Sequence, residues 1–233
     1  MERRVLRREQ IHAQLNEVFN HPLTLVTAAM GYGKTTAVRD FIKQQQTNHL
    51  WLNVENDETS PQQLWHSLTR QMEQVAPDFG HKLNAWGFPT DSAQRDRVMD
   101  YIEDQLYGSG TILVIDDYHH VHSPEVDELM ERMVRKNIPD FHVVILSRVR
   151  PGFRVEELIL KGLCFQLKNG LFELTEKEVH DFFSLFGYDL PEHETRQVYE
   201  VSEGWITAVY LMMKSYTEKG FFDQETDINS LLD

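Results

Sequence analysis

Gly31 and Gly33 stand two residues apart and are followed at once by Lys34, Thr35 and Thr36, directly behind the apolar run Leu23–Thr27. Glycines so spaced let a backbone bend tightly and aim successive N–H groups at one point, which is how main chain binds an anion. A lysine and hydroxyls at the opening of the next helix add a cation, a hard oxygen ligand and the positive end of the helix dipole. The chemistry such a set suits is the binding of a polyphosphate with its divalent ion. The segment from Ala28 to Thr35, with Gly31, Tyr32 and Gly33 at its bend, is therefore expected to hold nucleotide phosphates. Lys34 would reach the β- and γ-phosphates, Thr35 would ligate Mg²⁺ and Thr36 would donate to the α-phosphate. Ala28 stands where the strict phosphate-loop pattern has glycine.

A second group of reactive residues ends apolar runs further along. Thr111–Ile115 leads into Asp116 and Asp117, and in P-loop proteins such a strand lies beside the loop and helps hold Mg²⁺. Asp116 is the expected metal-side carboxylate, acting through water because Mg²⁺ keeps several of its aqua ligands. Asp117 either polarises the attacking water as a base or caps the following turn. The run ending Leu146-Ser147-Arg148 puts a guanidinium at the same edge. Arg148 is either a sensor of the γ-phosphate or the partner of Asp116 or Asp117 in an ion pair. His119, His120 and His122 lack a second ligand cluster at metal spacing and read as a solvated loop, so no zinc is assigned. Cys164 reads as a small buried residue, and the Phe and Trp positions between 172 and 210 read as core.

Positioning these groups requires a particular fold. Short apolar runs at Leu23–Thr27, Leu50–Asn53, Thr111–Ile115 and Phe141–Leu146 alternate with longer amphipathic stretches, the pattern of a parallel sheet flanked by helices. The reading is an α/β fold of the P-loop NTPase type over residues 1–168. Ser60-Pro61 and Ser123-Pro124-Glu125 mark helix starts, the latter helix ending near Lys136, and the helix after the loop is expected from about Lys34 to Gln46. Past Asn169-Gly170 the strand signals stop. Thr175-Glu176-Lys177-Glu178 forms a capping box, and two further helices over Pro191–Ser202 and Trp205–Lys219 complete a small all-helical subdomain over residues 169–220.

Bulk properties exclude several function classes. With 37 acidic against 23 basic residues the formal charge is −14, which opposes DNA binding through a broad surface. Any polyphosphate must be held locally against that field. The longest apolar runs are far shorter than the roughly 18 residues of a membrane span, and the basic N-terminus lacks the apolar core of a secretory signal. One cysteine cannot build a disulfide framework and fits a reducing cytoplasm.

Taken together, Leu25-Val26-Thr27 with Gly31–Thr36, Leu113–His119, Ile145–Arg148 and Glu203-Gly204-Trp205-Ile206-Thr207 resemble the signal-transduction ATPases with numerous domains (STAND). Within them the likeness is to the large ATP-dependent transcription activators of the LuxR type exemplified by the maltose-regulon activator. The resemblance implies that Gly204, Trp205 and Thr207 line the adenosine side of the nucleotide, and that the segment Val5-Leu6-Arg7-Arg8 contacts the base, with Arg8 either that contact or an ordinary surface cation. Members of the family it resembles usually carry Pro or a small residue within this last motif, where this chain has Ile206. The resemblance also implies an ADP-bound resting form, an ATP-bound signalling form, slow hydrolysis that resets the switch, and self-association on activation. Residues 221–233 resemble the start of a winged-helix domain, so sensor and effector domains are expected beyond residue 233. Two other readings stay open: an AAA-type ATPase with steady turnover, and an interaction scaffold that nucleotide merely stabilises.

Overall fold

The structure, a computed structural model, describes residues 5–45, 47–55 and 60–219. Expectations for residues 221–233 lie outside the described residues. By packing, the described residues divide into two compact units, one from Ala13–Thr27 and Phe41–Leu167, the other from residues 5–12, Ala28–Asp40 and residues 168–219.

The larger unit is built on five parallel strands, β1 (Leu23–Thr27), β2 (Asn48–Asn53), β3 (Thr111–Asp116), β4 (Phe141–Ser147) and β5 (Cys164–Leu167), in the order β2-β3-β4-β1-β5. All six residues of β3 are buried, and β1 and β4 are buried almost throughout. Burial on both faces explains why these strands read as unbroken apolar runs rather than as alternations. Four strands lie where the sequence places them; β5 is additional. β1 pairs with β4 from Leu23 opposite Val143 to Thr27 opposite Ser147, so β4 is interposed between β1 and β3. Side-by-side order is set by crossover topology, which the strands' similar compositions do not reveal.

Helices α1 (Glu9–Leu15), α2 (Lys34–Gln44), α3 (Pro61–Val75), α4 (Pro77–Trp86), α5 (Ser92–Leu106), α6 (Pro124–Lys136) and α7 (Val155–Leu160) punctuate the strands. Their starts carry local chemistry: Ser60 and Gln63 form a capping box at α3, and Ser123 accepts from the Val126 amide at α6 with proline at the first turn. Each such cap contributes about 1 kcal/mol. Within this unit the side chains of Leu25, Leu50, Leu113 and Ile145 meet Met72, Leu83, Ile102 and Leu129 in one contiguous core.

The other unit contains α8 (Glu176–Leu185), α9 (Glu192–Ser202) and α10 (Ile206–Lys219). α8 packs on α9 and α9 on α10, around Val179, Phe183, Val198, Val209 and Met213. α8 opens with the expected capping box between Thr175 and Glu178. Among the described residues no helix is long and apolar enough to cross a membrane.

Cys164 sits on β5 with 4% exposure, and burial pushes its thiol up to about 12. A thiol so held is scarcely ionised at pH 8 and is inert. Alkylation by iodoacetamide at that pH should be slow in the native protein and complete after denaturation; comparable rates in both would contradict this burial.

Candidate functional site

The loop leaves β1 at Ala28, which is 3% exposed and keeps an ordinary φ, so glycine is not required there. Gly31 and Gly33 adopt φ of 78° and 80°, the left-handed region that an L side chain resists. α2 begins immediately afterwards at Lys34, so its N-terminal amides follow the loop directly. The Lys34 ammonium is 2.6 Å from the Ala28 carbonyl and 2.9 Å from that of Ala29 and donates to both, inside a residue only 8% exposed. Thr35 and Thr36 occupy the next positions of α2's first turn, half-buried.

The helical residues singled out by the sequence meet this loop within the same unit. Trp205 Nε1 donates to the Met30 carbonyl at 3.1 Å, and Thr207 Oγ1 donates to the Gly31 carbonyl at 2.9 Å. A Cβ on Gly31 would collide with Thr207 Oγ1 and lie 2.7 Å from Trp205 Nε1. Close approach, besides positive φ, thus demands glycine there. Asn169 adds a third tie, its Oδ1 accepting from the Ala29 amide at 3.2 Å. Gly204 places Trp205 and the start of α10: at φ 74° it lies so close to Leu174 that any Cβ would strike the Leu174 carbonyl oxygen. Its own carbonyl accepts from the Leu174 amide at 2.8 Å.

Arg8 is buried rather than a surface cation. Its Nε donates to Glu178 at 3.0 Å, and its terminal nitrogens donate to the carbonyls of Leu171, Phe172 and Glu173 as well as to Glu178. A guanidinium has five N–H donors, and here they tie the N-terminal segment to the turn before α8. The head group is thus committed to protein, while the residue still borders the cavity described next.

That cavity, about 570 Å³, lies wholly within this unit and has the size of a small-molecule site. Gly31, Tyr32, Gly33, Thr36 and Ala37 form one wall, Val5, Leu6 and Arg8 another, and Phe182, Phe186, Ile206, Thr207 and Tyr210 a third. Ile206 faces Gly33, where a Cβ would meet it at an ordinary 3.7 Å. The wall also contains His12 and Asp40, joined by a 3.0 Å contact between Nε2 and Oδ2. Neither was singled out in the sequence, where they stand 28 positions apart and no motif contains them. Phe182 and Phe186 read there simply as core, because a cavity wall and a core stripe share the same helical spacing.

Asp116, Asp117 and Arg148 belong to the other unit. Asp116 ends β3 at 2% exposure, its Oδ1 accepting from the Asp117 amide at 3.0 Å. Asp117 turns the chain with φ 57°, and its carboxylate lies 3.7 Å from His119 Nδ1. Tyr118, next in the chain, is anchored by its hydroxyl to Asp127 at 2.7 Å. Burial is the first cause raising both the Tyr118 hydroxyl and the Asp127 carboxyl above their usual pKa values. Arg148 follows β4 in an exposed bend, and among the described residues it forms no ion pair with Asp116 or Asp117.

The donor set fits magnesium nucleotide. Among the described residues no three His, Cys, Asp or Glu side chains gather as a cation cage. Mg²⁺ needs none, since it is held through one or two protein groups, its waters and substrate phosphates. A loop with two left-handed glycines leading into a helix N-terminus, with a lysine at its mouth, supplies the phosphate side.

Comparison with known proteins agrees with this geometry. The sequence profile of the AAA domain matches residues 16–146, more than half of the chain. The chain belongs to the AAA domain family. Around its AAA domain it resembles the HTH-type transcriptional regulator MalT of Yersinia pestis, 23% identical over 211 residues, covering 89% of this chain and 23% of the relative. The MalT of Yersinia enterocolitica matches over the same shares, also at 23% identity. The chain thus spans about a quarter of the length of these curated relatives, 23%. Among solved structures, a STAND protein with a tetratricopeptide repeat sensor from Pyrococcus horikoshii superposes with TM-score 0.69 at 17% identity, over 100% of this chain and 32% of that one. The Walker-type ATPase of Pyrococcus abyssi does so with TM-score 0.63 at 15% identity, over 98% and 71% respectively. These likenesses bear out the P-loop NTPase fold and the class to which the sequence motifs point.

Glu178 serves both the α8 capping box and Arg8. Burial by itself would raise its carboxyl, but the bonds from Arg8 and Thr175 outweigh that and hold it below the usual 4.5. A depressed carboxylate stabilises the fold above its unfolded pKa, and the contribution is lost as pH falls through the folded value. Glu178→Gln should therefore cost about 1–3 kcal/mol at pH 7, and its melting temperature should converge on that of wild type as pH drops below 4.5. A deficit independent of pH would contradict the assignment.

Proposed function

We propose that the chain is the ATP- and ADP-binding switch module of a multidomain transcription regulator, with slow Mg²⁺-dependent hydrolysis resetting its active state. The observation that carries this reading is the pair of hydrogen bonds from Trp205 and Thr207 to the Met30 and Gly31 carbonyls. A helical packet that holds the phosphate loop by its main chain senses what that loop binds. A ligand alters such an arrangement only through its differential affinity for two states, and the γ-phosphate is the group by which ATP and ADP differ.

In this reading residues 1–168 are the nucleotide-binding domain and 169–220 the helical subdomain of a regulator that also has sensor and effector domains. Gly31, Tyr32 and Gly33 present amides to the phosphates, Lys34 leaves the Ala28 and Ala29 carbonyls for the β- and γ-oxygens, and Thr36 donates to the α-phosphate. Thr35 and, through water, Asp116 would hold Mg²⁺, which supplies charge neutralisation when bound. Asp117 orients the attacking water, and Arg148, which has no ion pair with either aspartate, reads the γ-phosphate. Gly204, Trp205 and Thr207 stand on the adenosine side, and Arg8 acts there by fixing the N-terminal segment. DNA contact is left to the effector domain, as the charge of −14 favours. The cytoplasm is the compartment such a regulator requires.

Nucleotide released on denaturing the purified protein should be adenine nucleotide in wild type and absent from Lys34→Ala, which should also lose transcriptional output. Rapid ATP turnover by the full-length protein without inducer would instead favour the steadily cycling ATPase. Normal output from Lys34→Ala would favour the scaffold.

A further inference from the structure

The nucleotide cavity has apolar walls from Leu6, Phe182, Phe186 and Ile206, and into the same cavity face the paired side chains of His12 and Asp40. The pair is sheltered, with side-chain exposures of 12% and 25%. A carboxylate facing an apolar ligand cavity is costly unless it is paired or recognises something. Here His12, carried by α1, holds the carboxylate's Oδ2 at 3.0 Å.

Place along α2 indicates what the carboxylate meets. Gly33 immediately precedes α2, Thr36 lies in its first turn, and Ala37 and Asp40 follow on the same cavity-facing side. At 1.5 Å per residue, Asp40 stands about 6 Å beyond Thr36 and about 10 Å beyond Gly33 along the axis. That displacement carries one from the phosphate end of a nucleotide past its ribose to its base. We infer that Asp40, positioned by His12, selects adenine over guanine by accepting a hydrogen bond from the exocyclic amino group of the base.

The inference rests on the nucleotide-binding reading above and adds the base-reading group that it lacks, since the guanidinium of Arg8 is committed to Glu178 and three carbonyls. Adenine presents an amino donor at the position where guanine presents a carbonyl acceptor. A carboxylate is acceptor-only when ionised and offers about four lone-pair sites over two oxygens, so it can accept from more than one donor at once. It attracts the amino group and repels the guanine oxygen, and selectivity arises from both effects. His12 holds the carboxylate in place through the 3.0 Å contact with Oδ2; it is a positioning residue.

The test measures binding of ATP, GTP and purine riboside triphosphate, which lacks the amino group, to the full chain and to Asp40→Asn. Wild type should bind ATP roughly ten- to a hundredfold more tightly than either analogue, the range of a hydrogen bond to a charged group. In Asp40→Asn, whose amide can accept or donate, the ATP-to-GTP ratio should fall at least tenfold, to near unity, while binding still depends on Lys34. His12→Ala should move the same ratio in the same direction by a smaller factor. Equal wild-type affinity for ATP and purine riboside triphosphate would overturn the inference with no variant needed, as would an unchanged ratio in a folded Asp40→Asn. If wild type bound no nucleotide at all, the broader reading would fail and this one with it. Should Asp40→Asn not fold, the wild-type comparison of ATP with the amino-deleted analogue decides.

Discussion

The hold that Trp205 and Thr207 keep on the carbonyls of Met30 and Gly31 governs the rest of the site. In a planar trans peptide the carbonyl and the N–H of one unit point in opposite directions. Fixing the Met30 and Gly31 oxygens on the helical side therefore turns the Gly31 and Tyr32 amides the other way. An anion site built from backbone depends on such orientation, because a peptide has no rotamer of its own with which to search for a ligand. The glycine at position 31 is thereby doubly determined, by its φ of 78° and by side chains pressed against the place a Cβ would occupy.

Behind that hold stands a frame of main-chain contacts. Leu174 and Gly204 meet backbone to backbone, so α10 starts at a defined place, and Glu178 closes the first turn of α8 while receiving Arg8. Removing one partner of a buried charged pair is costly mainly because the other is left without solvation. Arg8 and Glu178 are therefore best understood as one element with the three carbonyls around them. Trp205 also stands near Tyr32, with ring centroids 6.5 Å apart, so the loop and the start of α10 share an apolar contact besides their hydrogen bonds.

Much of this architecture was legible in the sequence, for identifiable reasons. β1, β3 and β4 are buried on both faces and read as apolar runs, while Ser60, Ser123 and Thr175 announce their helices through side-chain chemistry that acts within three residues. β5 escaped notice because it is a four-residue edge strand whose central Phe165 and Gln166 are only half-buried, leaving too short a pattern to separate from loop. The interposition of β4 between β1 and β3 could not be read, since parallel neighbours are chosen by crossovers and not by composition. Loop residues were recognisable because their chemistry is local. Arg8 was not fully so, its partners being carbonyls more than 160 positions away, and a carbonyl leaves no mark on sequence. His12 and Asp40 are distant and ordinary in composition; only folding makes them a pair.

The strand order carries a consequence for vectorial synthesis. β1 is made first, yet its two neighbours, β4 and β5, are made last among the strands. Arg8 likewise leaves the ribosome 170 residues before Glu178. At about 5–20 residues per second the delay is on the order of ten to thirty seconds, during which an apolar strand has neither flank covered and a guanidinium lacks its acceptors. β2 and β3, consecutive in the chain, wait a shorter time for one another. The two flanks of β1 are therefore covered only once the segments carrying β4 and β5 have emerged.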